Sequence, residues 1–431
     1  AGMAPEEARY AARRQFGGME QVKERARAQR SGAWLEQTLR DCGHALRSLR
    51  QSPGFATTAL LTLALGIGAC TAVFSIVEAV VLRPLAYPAA QQLVAARVVL
   101  PAYARTYPTL PVNARLFQEW RGCPAFADLA LLDRSRITLT GLGDPVRVSA
   151  VRASANLFDT LRVVPALGRS FAADEGTPGK SAVVILTDRF WRREFSADPA
   201  ILGRTLTLDQ KPATVIGVLP PDFRLPEARQ FLTGKVFANA EPEIYVPKVI
   251  PASELNQTLG EFNYEAIGRL APGATLTEAT AQLNVVAARV ARLSGTGLEA
   301  RGFLAPLQEA LTGPARRGLY LLLGAVVAVL LIACLNLSML ALARTERRGP
   351  GLAMRSALGA TRLRLVREAL AESLVLSLAG GVLGWLFALG GLAVLLRLAP
   401  ADLPRLDEVR LDSAVLCFAL ATTFAASLIA G

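Results

Sequence analysis

Residues 176–181, GTPGKS, end as a phosphate-binding loop ends, with glycines that let backbone N–H groups approach a phosphate and a lysine to meet its charge. The leading glycine of GxxxxGKS/T would stand at position 174, which is Asp174 here. Such a loop must also open a helix whose N-terminus holds the phosphates, whereas residues 182–186, AVVIL, read as a strand. The chain therefore shows no ATP site of its own. Acyl-transfer chemistry has no better footing. There is no GxSxG, and the only histidine, His44, precedes the first apolar run, out of reach of a Ser-His-Asp arrangement in the large middle segment. Asp174-Glu175 and the pair Glu241 and Glu243 have the spacing of solvated loops. The cysteines, Cys42, Cys70, Cys123, Cys334 and Cys417, lack metal-ligand spacing, so a zinc site is excluded and no cofactor or enzymatic activity is expected.

The residues with something to do are arginines. Residues 343–372, ARTERRGPGLAMRSALGATRLRLVREALAE, carry Arg344, Arg347, Arg348, Arg355, Arg362, Arg364 and Arg367 against Glu346, Glu368 and Glu372. Arginine excess in a short loop between apolar runs marks the cytoplasmic side of a membrane, because positive residues resist translocation. Within it, residues 352–358 can form a short helix, with Pro350 near its first turn and Gly359 suited to end it. Met354, Ala357 and Leu358 share one face of that helix, an apolar surface on which a soluble partner could dock.

Four runs without a charged residue, 54–77, 318–343, 373–396 and 413–431, must position this loop. About 20 apolar residues cross the hydrocarbon core as a helix, so the first three qualify outright and the fourth narrowly. The mean hydropathy of +0.35 agrees with a membrane protein. The resulting organisation is a cytoplasmic helical prefix with an amphipathic helix (1–52), a first span (53–83), an extracytoplasmic domain (84–315), a second span (316–343), the cytoplasmic loop (344–372), a third span (373–398), an outer loop (399–412) and a fourth span (413–431). Net charge is +12, but residues 84–315 hold 24 basic and 21 acidic groups, and the excess lies at the membrane flanks. That distribution is topology charge, and nucleic acid is excluded as a partner.

Residues 34–49 repeat Leu35, Leu39, Leu46 and Leu49 with arginines between, the pattern of a helix resting on a membrane surface. Gly66, Gly68 and several threonines in the first span permit close helix approach, as do Gly380, Gly381, Gly384, Gly390 and Gly391 in the third. Glu78, near the outer end of the first span, is expected to reach water. No span has a charged residue in its interior, which argues against an ion channel or proton-coupled carrier built on buried ionisable groups. In the middle segment, β-rich runs at 93–100, 146–151, 182–186, 205–208, 213–218 and 244–246 alternate with helical patches, notably 275–293, where Thr275 and Glu278 have capping-box spacing. The fold class is thus an α-helical membrane protein with four transmembrane helices plus a mixed α+β extracytoplasmic domain.

One span, a large outer domain and three clustered spans, with AMRSALGATRLRLVREALAESLVLSLAGGVLG after the paired arginines, resembles the MacB/FtsX-type ABC transporter permeases. The likeness extends to QSPGFATTALLTLALGIGACTAVFSIVEAVVLRPLAYP, NLFDTLRVVPALGRSF, ILGRTLTLDQKPATVIGVLPPDF and EIYVP, the last three similar to the MacB-like periplasmic core domain. PEEARYAARRQFGGMEQVKE is similar to the prefix of the duplicated permeases called ADOP, which implies that this chain is a fragment covering one copy. The resemblance implies a bacterial inner-membrane, multi-pass protein with a cytoplasmic N-terminus. It also implies a separate cytoplasmic ABC ATPase dimer, a second permease copy and a periplasmic adaptor as partners, the lipid bilayer as setting, and export or mobilisation of envelope-associated substrates as the task. ATPase docking would fall to Arg347, Arg348, Met354, Arg355, Ala357, Leu358, Gly359 and Ala360. Gly349-Pro350-Gly351 stands where the family has a glutamate after the paired arginines. The alternative function is a non-transporting envelope sensor or binding protein that regulates a partner.

Overall fold

The computed structural model describes residues 43, 46–47, 49–141, 144–226, 241–347, 362–398, 405 and 408–430. They divide into two units. The helical unit takes Ala1–Ala79, Arg317–Ala399 and Leu406–Gly431, and the sheet unit takes Val80–Arg316 and Pro400–Arg405.

In the helical unit, α1 runs Pro53–Val77 with proline in its first turn, where an N–H would lack a partner in any case. A π-helical turn, Glu78–Leu82, prolongs it. Four helical stretches are long and apolar enough to cross a membrane: Pro53–Leu82, Ala315–Arg344, Ala369–Leu398 and Ser413–Ala430. The first contains α1, and the others lie in the helices of the chain's last third. Leu63, Ile67 and Cys70 of α1 meet Leu330, Cys334, Leu337, Leu376 and Ala426 from those three stretches in one apolar cluster.

The sheet unit is a single mixed sheet. Its strands are β1 (Leu93–Val99), β2 (Phe126–Thr140), β3 (Val146–Ala153), β4 (Leu167–Gly168), β5 (Val183–Leu186), β6 (Thr205–Leu208), β7 (Lys211–Val218), β8 (Ile244–Pro247), β9 (Glu265–Leu270) and β10 (Arg301–Pro306). The order is β10-β1-β9-β2-β3-β8-β5-β7-β4, with β6 joining β2 to β7. β3 with β8 and β5 with β7 are parallel pairs, and the remaining pairs are antiparallel.

The central strand β2 explains the layering. Its residues Leu129, Ala130, Leu131 and Leu132 are all buried because successive side chains enter opposite faces, and both faces are covered. Leu129 and Leu131 join the core under α2 (Ala114–Trp120), while Ala130 and Leu132 join the core around α3 (Leu157–Leu161). Beyond Arg136, Ile137 and Leu139 enter a third core with Phe190 and Trp191 of α4 (Asp188–Phe195). A four-residue helix, α5 (Ala252–Leu255), follows β8. The longest helix of the unit, α6 (Leu276–Leu293), starts on the reciprocal box expected from its sequence, with Thr275 Oγ1 accepting from the Glu278 N–H and Glu278 accepting from the Thr275 N–H. Its Ala279, Leu283, Ala287 and Val290 are buried at helical spacing, and Trp120 Nε1 donates to the Leu283 carbonyl at 3.3 Å.

The last third of the chain is helical: α7 (Leu307–Arg347), α8 (Arg362–Leu398) and α9 (Ser413–Ala430).

Candidate functional site

The loop singled out by its arginines is held at its two stems. Arg344 and Glu372 are the first charges that follow and precede the apolar runs of α7 and α8, and the Arg344 guanidinium donates to a Glu372 carboxylate oxygen. Both side chains are largely buried, 15% and 27% exposed. The same guanidinium lies over the Phe55 ring at the start of α1, 4.9 Å from its centroid. An arginine can serve both contacts because its planar cation pairs with a carboxylate through its edge and stacks on an aromatic ring through its face. Three helices, α1, α7 and α8, therefore meet at one partly dehydrated ion pair. Arg347 is the last described residue of α7; Arg348, Met354, Arg355, Ala357, Leu358, Gly359 and Ala360 lie outside the described residues, as does the prefix 1–42.

Behind this clasp, α1 and α8 touch backbone to backbone. A Cβ added at Gly68 would lie 2.7 Å from the Gly384 carbonyl oxygen, and one added at Gly384 would lie 3.0 Å from the Ala64 carbonyl oxygen and the Gly68 nitrogen. Only hydrogen fits at both positions, so the close approach expected of the glycines is present at this pair. Phe74 of α1 stacks on Phe418 of α9 with centroids 3.9 Å apart. Ser338 of α7 lies 2.8 Å from the Ile429 carbonyl oxygen of α9, which accepts its hydroxyl hydrogen.

Glu78 departs from its expected contact with water: it is 9% exposed. The π-helical turn that begins at Glu78 is wider than an α-turn, so the residues after Val77 leave the faces that a period of 3.6 assigns them. The phosphate-loop mimic behaves as its sequence context requires. Lys180 Nζ pairs with Asp174 at 2.8 Å, which holds the Asp174 carboxyl below its ordinary pKa, and strand β5 follows where a phosphate site needs a helix.

Elsewhere in the sheet unit, several charged side chains have partners on other strands. Lys248 pairs with Asp133 at 3.0 Å and sits 4.7 Å from the centroid of the Tyr264 ring, and Arg134 pairs with Glu265 at 3.3 Å. Burial, with Glu254 accepting the phenolic hydrogen, pushes Tyr264 well above its ordinary pKa. Arg269, 3% exposed, donates Nε to the Thr160 carbonyl at the end of α3 and Nη1 to the Ala89 carbonyl. These groups fasten strands and helix ends. Among the described residues no group of three His, Cys, Asp or Glu side chains comes together that could hold a metal ion.

Compared with known families, residues 56–286, more than half of the chain, match the MacB-like periplasmic core domain. The chain belongs to that family. No curated protein matches it. Among solved structures, the extracellular domain of the noncanonic ABC-type transporter YknZ from Gram-positive bacteria is similar at 14% identity and a TM-score of 0.34, over 48% of this chain and 99% of that one. The periplasmic region of MacB from Actinobacillus actinomycetemcomitans is similar at 13% identity and a TM-score of 0.36, over 54% of this chain and 94% of that one. The sheet unit is thus a MacB-like core domain, and with four membrane-length apolar helices the chain is a membrane protein with an extracytoplasmic domain and an ABC permease role.

Residue reasoning overlooked the clasp itself. Its signal was present in the sequence, since Arg344 and Glu372 bound two apolar runs, but that two such charges pair with each other is a tertiary fact.

Proposed function

We propose that this chain is the permease subunit of an ABC transporter and passes ATP-driven motion from a separate cytoplasmic ATPase dimer to its MacB-like core domain. Family membership is the observation that carries this reading. The ATPase docks on residues 344–372 through Arg347, Arg348, Met354, Arg355, Ala357, Leu358, Gly359 and Ala360. Support comes from the arginine excess of this loop, which suits the cytoplasmic face of a bacterial inner membrane, and from the ion pair that ties its stems to each other and to α1. A loop with tied stems hands a push to three helices instead of one. A second permease copy and a periplasmic adaptor complete the assembly, which exports or mobilises envelope-associated substrates.

The test is reconstitution of the purified full chain with an ABC ATPase that co-purifies with it. The chain alone hydrolyses no ATP, and it stimulates or regulates the partner; Arg355→Glu or Leu358→Asn abolishes association. ATP hydrolysis by the chain alone, or labelling of a cysteine at position 356 from the same side as one in the core domain, overturns the reading.

A further inference from the structure

Where the first long helix ends, its carbonyls are capped from two distant parts of the chain. The π-helical turn Glu78–Leu82 runs into Arg83 and Pro84, and proline has no N–H with which to continue a ladder. Carbonyls at a helix C-terminus have no donor within the helix. Gln308, at the start of α7, donates Nε2 to the carbonyls of Val81 at 3.0 Å and Arg83 at 3.3 Å. Arg405, between α8 and α9, donates Nη1 to the Arg83 carbonyl at 2.7 Å and Nη2 to the Pro84 carbonyl at 3.2 Å. The Arg83 oxygen is shared by both donors. Neighbouring carbonyls suit the two arms of a guanidinium, a fork that an ammonium cannot reproduce.

Two further observations point the same way. Arg405 has a φ of 60°, in the left-handed region that a residue with a Cβ seldom adopts. It also belongs to the sheet unit, although α8 and α9, which precede and follow it in the chain, belong to the helical unit.

We propose that Arg405 is a positioning residue that fastens its own point in the chain to the Arg83 and Pro84 carbonyls, with Gln308 holding the same Arg83 carbonyl from the start of α7. Its consequence rests on the permease reading: with this guanidinium removed, the carbonyls after the first long helix lose a donor and stimulation of the ATPase falls.

Hydrogen–deuterium exchange on the full chain in detergent, without any ATPase, tests the fastening. Arg405→Ala speeds exchange at residues 408–412 by about tenfold or more, the factor that follows from losing a hydrogen bond to a charged group. Millimolar guanidinium restores the slow exchange, which it would not do if the variant had merely loosened the fold. Gln308→Ala leaves 408–412 at the wild-type rate. Unchanged exchange in Arg405→Ala, or no rescue, overturns the proposal. Should Arg405→Ala fail to fold, Arg405→Lys, which keeps the charge and loses the fork, is decisive in the same way, because wild-type exchange there overturns it. With the ATPase added, faster exchange accompanied by undiminished stimulation overturns the role in coupling, whereas failure of the permease reading appears as no stimulation by the wild-type chain.

Discussion

Helices α1 and α7 are both apolar and long enough to cross a membrane, yet the chain surrounds one and leaves the other largely bare. In α1, Leu63, Ala64, Ile67, Gly68 and Cys70 are buried, and Gly68 meets the backbone of α8. In α7, Leu321, Val329, Ile332, Leu335 and Met339 are exposed, and Leu330, Cys334 and Leu337 form the narrow side that is covered. High hydropathy alone does not say which helix is covered, because lipid and protein are equally welcoming to leucine. Small residues do, since they let backbones approach. The lesson is that α1 is the hub of the helical unit, while the outer face of α7 is left for lipid or a second copy.

Substitutions can break this contrast or sharpen it. The largest effect is expected at the glycine contact: Gly384→Leu forces α8 off α1 and prevents assembly of the helical unit or costs about 3 kcal/mol or more. Gly324→Leu in α7, where an added Cβ meets nothing within 4 Å, stays within about 0.5 kcal/mol. Thermal aggregation midpoints in detergent read both, and equal losses would erase the distinction. Next come the leucines. Leu63→Ala in α1 costs about 2–5 kcal/mol and Leu335→Ala in α7 almost nothing, by the same measurement. Glu372→Gln, which leaves Arg344 without its carboxylate, costs about 1–3 kcal/mol and hastens trypsin cleavage within residues 347–367.

The smallest effect lies in the sheet unit and serves as a control. Tyr264 is raised above its ordinary pKa of 10.0, so from about pH 10 upward the unfolded chain gives up this proton before the folded one does. The stability linked to it is full below that pH and falls as pH rises, by at most about 1.4 kcal/mol per pH unit. Tyr264→Phe should flatten the alkaline arm of the unfolding curve of the sheet unit, and an unchanged arm would refute the assignment.

The long apolar runs, the glycine positions and the capped helix α6 were legible because each is written in local chemistry. So were the strands β1, β3 and β5 to β8, with ends shifted by a residue or two. Four strands escaped, the two-residue β4 among them. β2 is interrupted by Asp133, Arg134 and Arg136, β9 contains Gly268 and Arg269, and β10 contains Gly302 and Pro306, all residues that strand propensity counts against. Asp133, Arg134 and Arg269 are admitted for tertiary reasons. Lys248 and Glu265 neutralise the charges of β2, and Arg269 caps α3. The loop proposed to dock the ATPase was visible through its arginines, whereas Arg405 and Gln308 act on carbonyls more than two hundred residues away, which no local pattern can announce.

The strand order also sets a timetable for biogenesis. Among the described residues β1, the first strand to leave the ribosome, pairs at Val98 with nearby Leu110 and otherwise only with β9 and β10, the last two strands. At roughly 5–20 residues per second it must wait on the order of ten to thirty seconds for Glu265 to be made. Throughout that interval its Leu93-Val-Ala-Ala edge is a sticky template already translocated behind α1. A chaperone on the far side of the membrane, and not a faster ribosome, is what such a topology calls for.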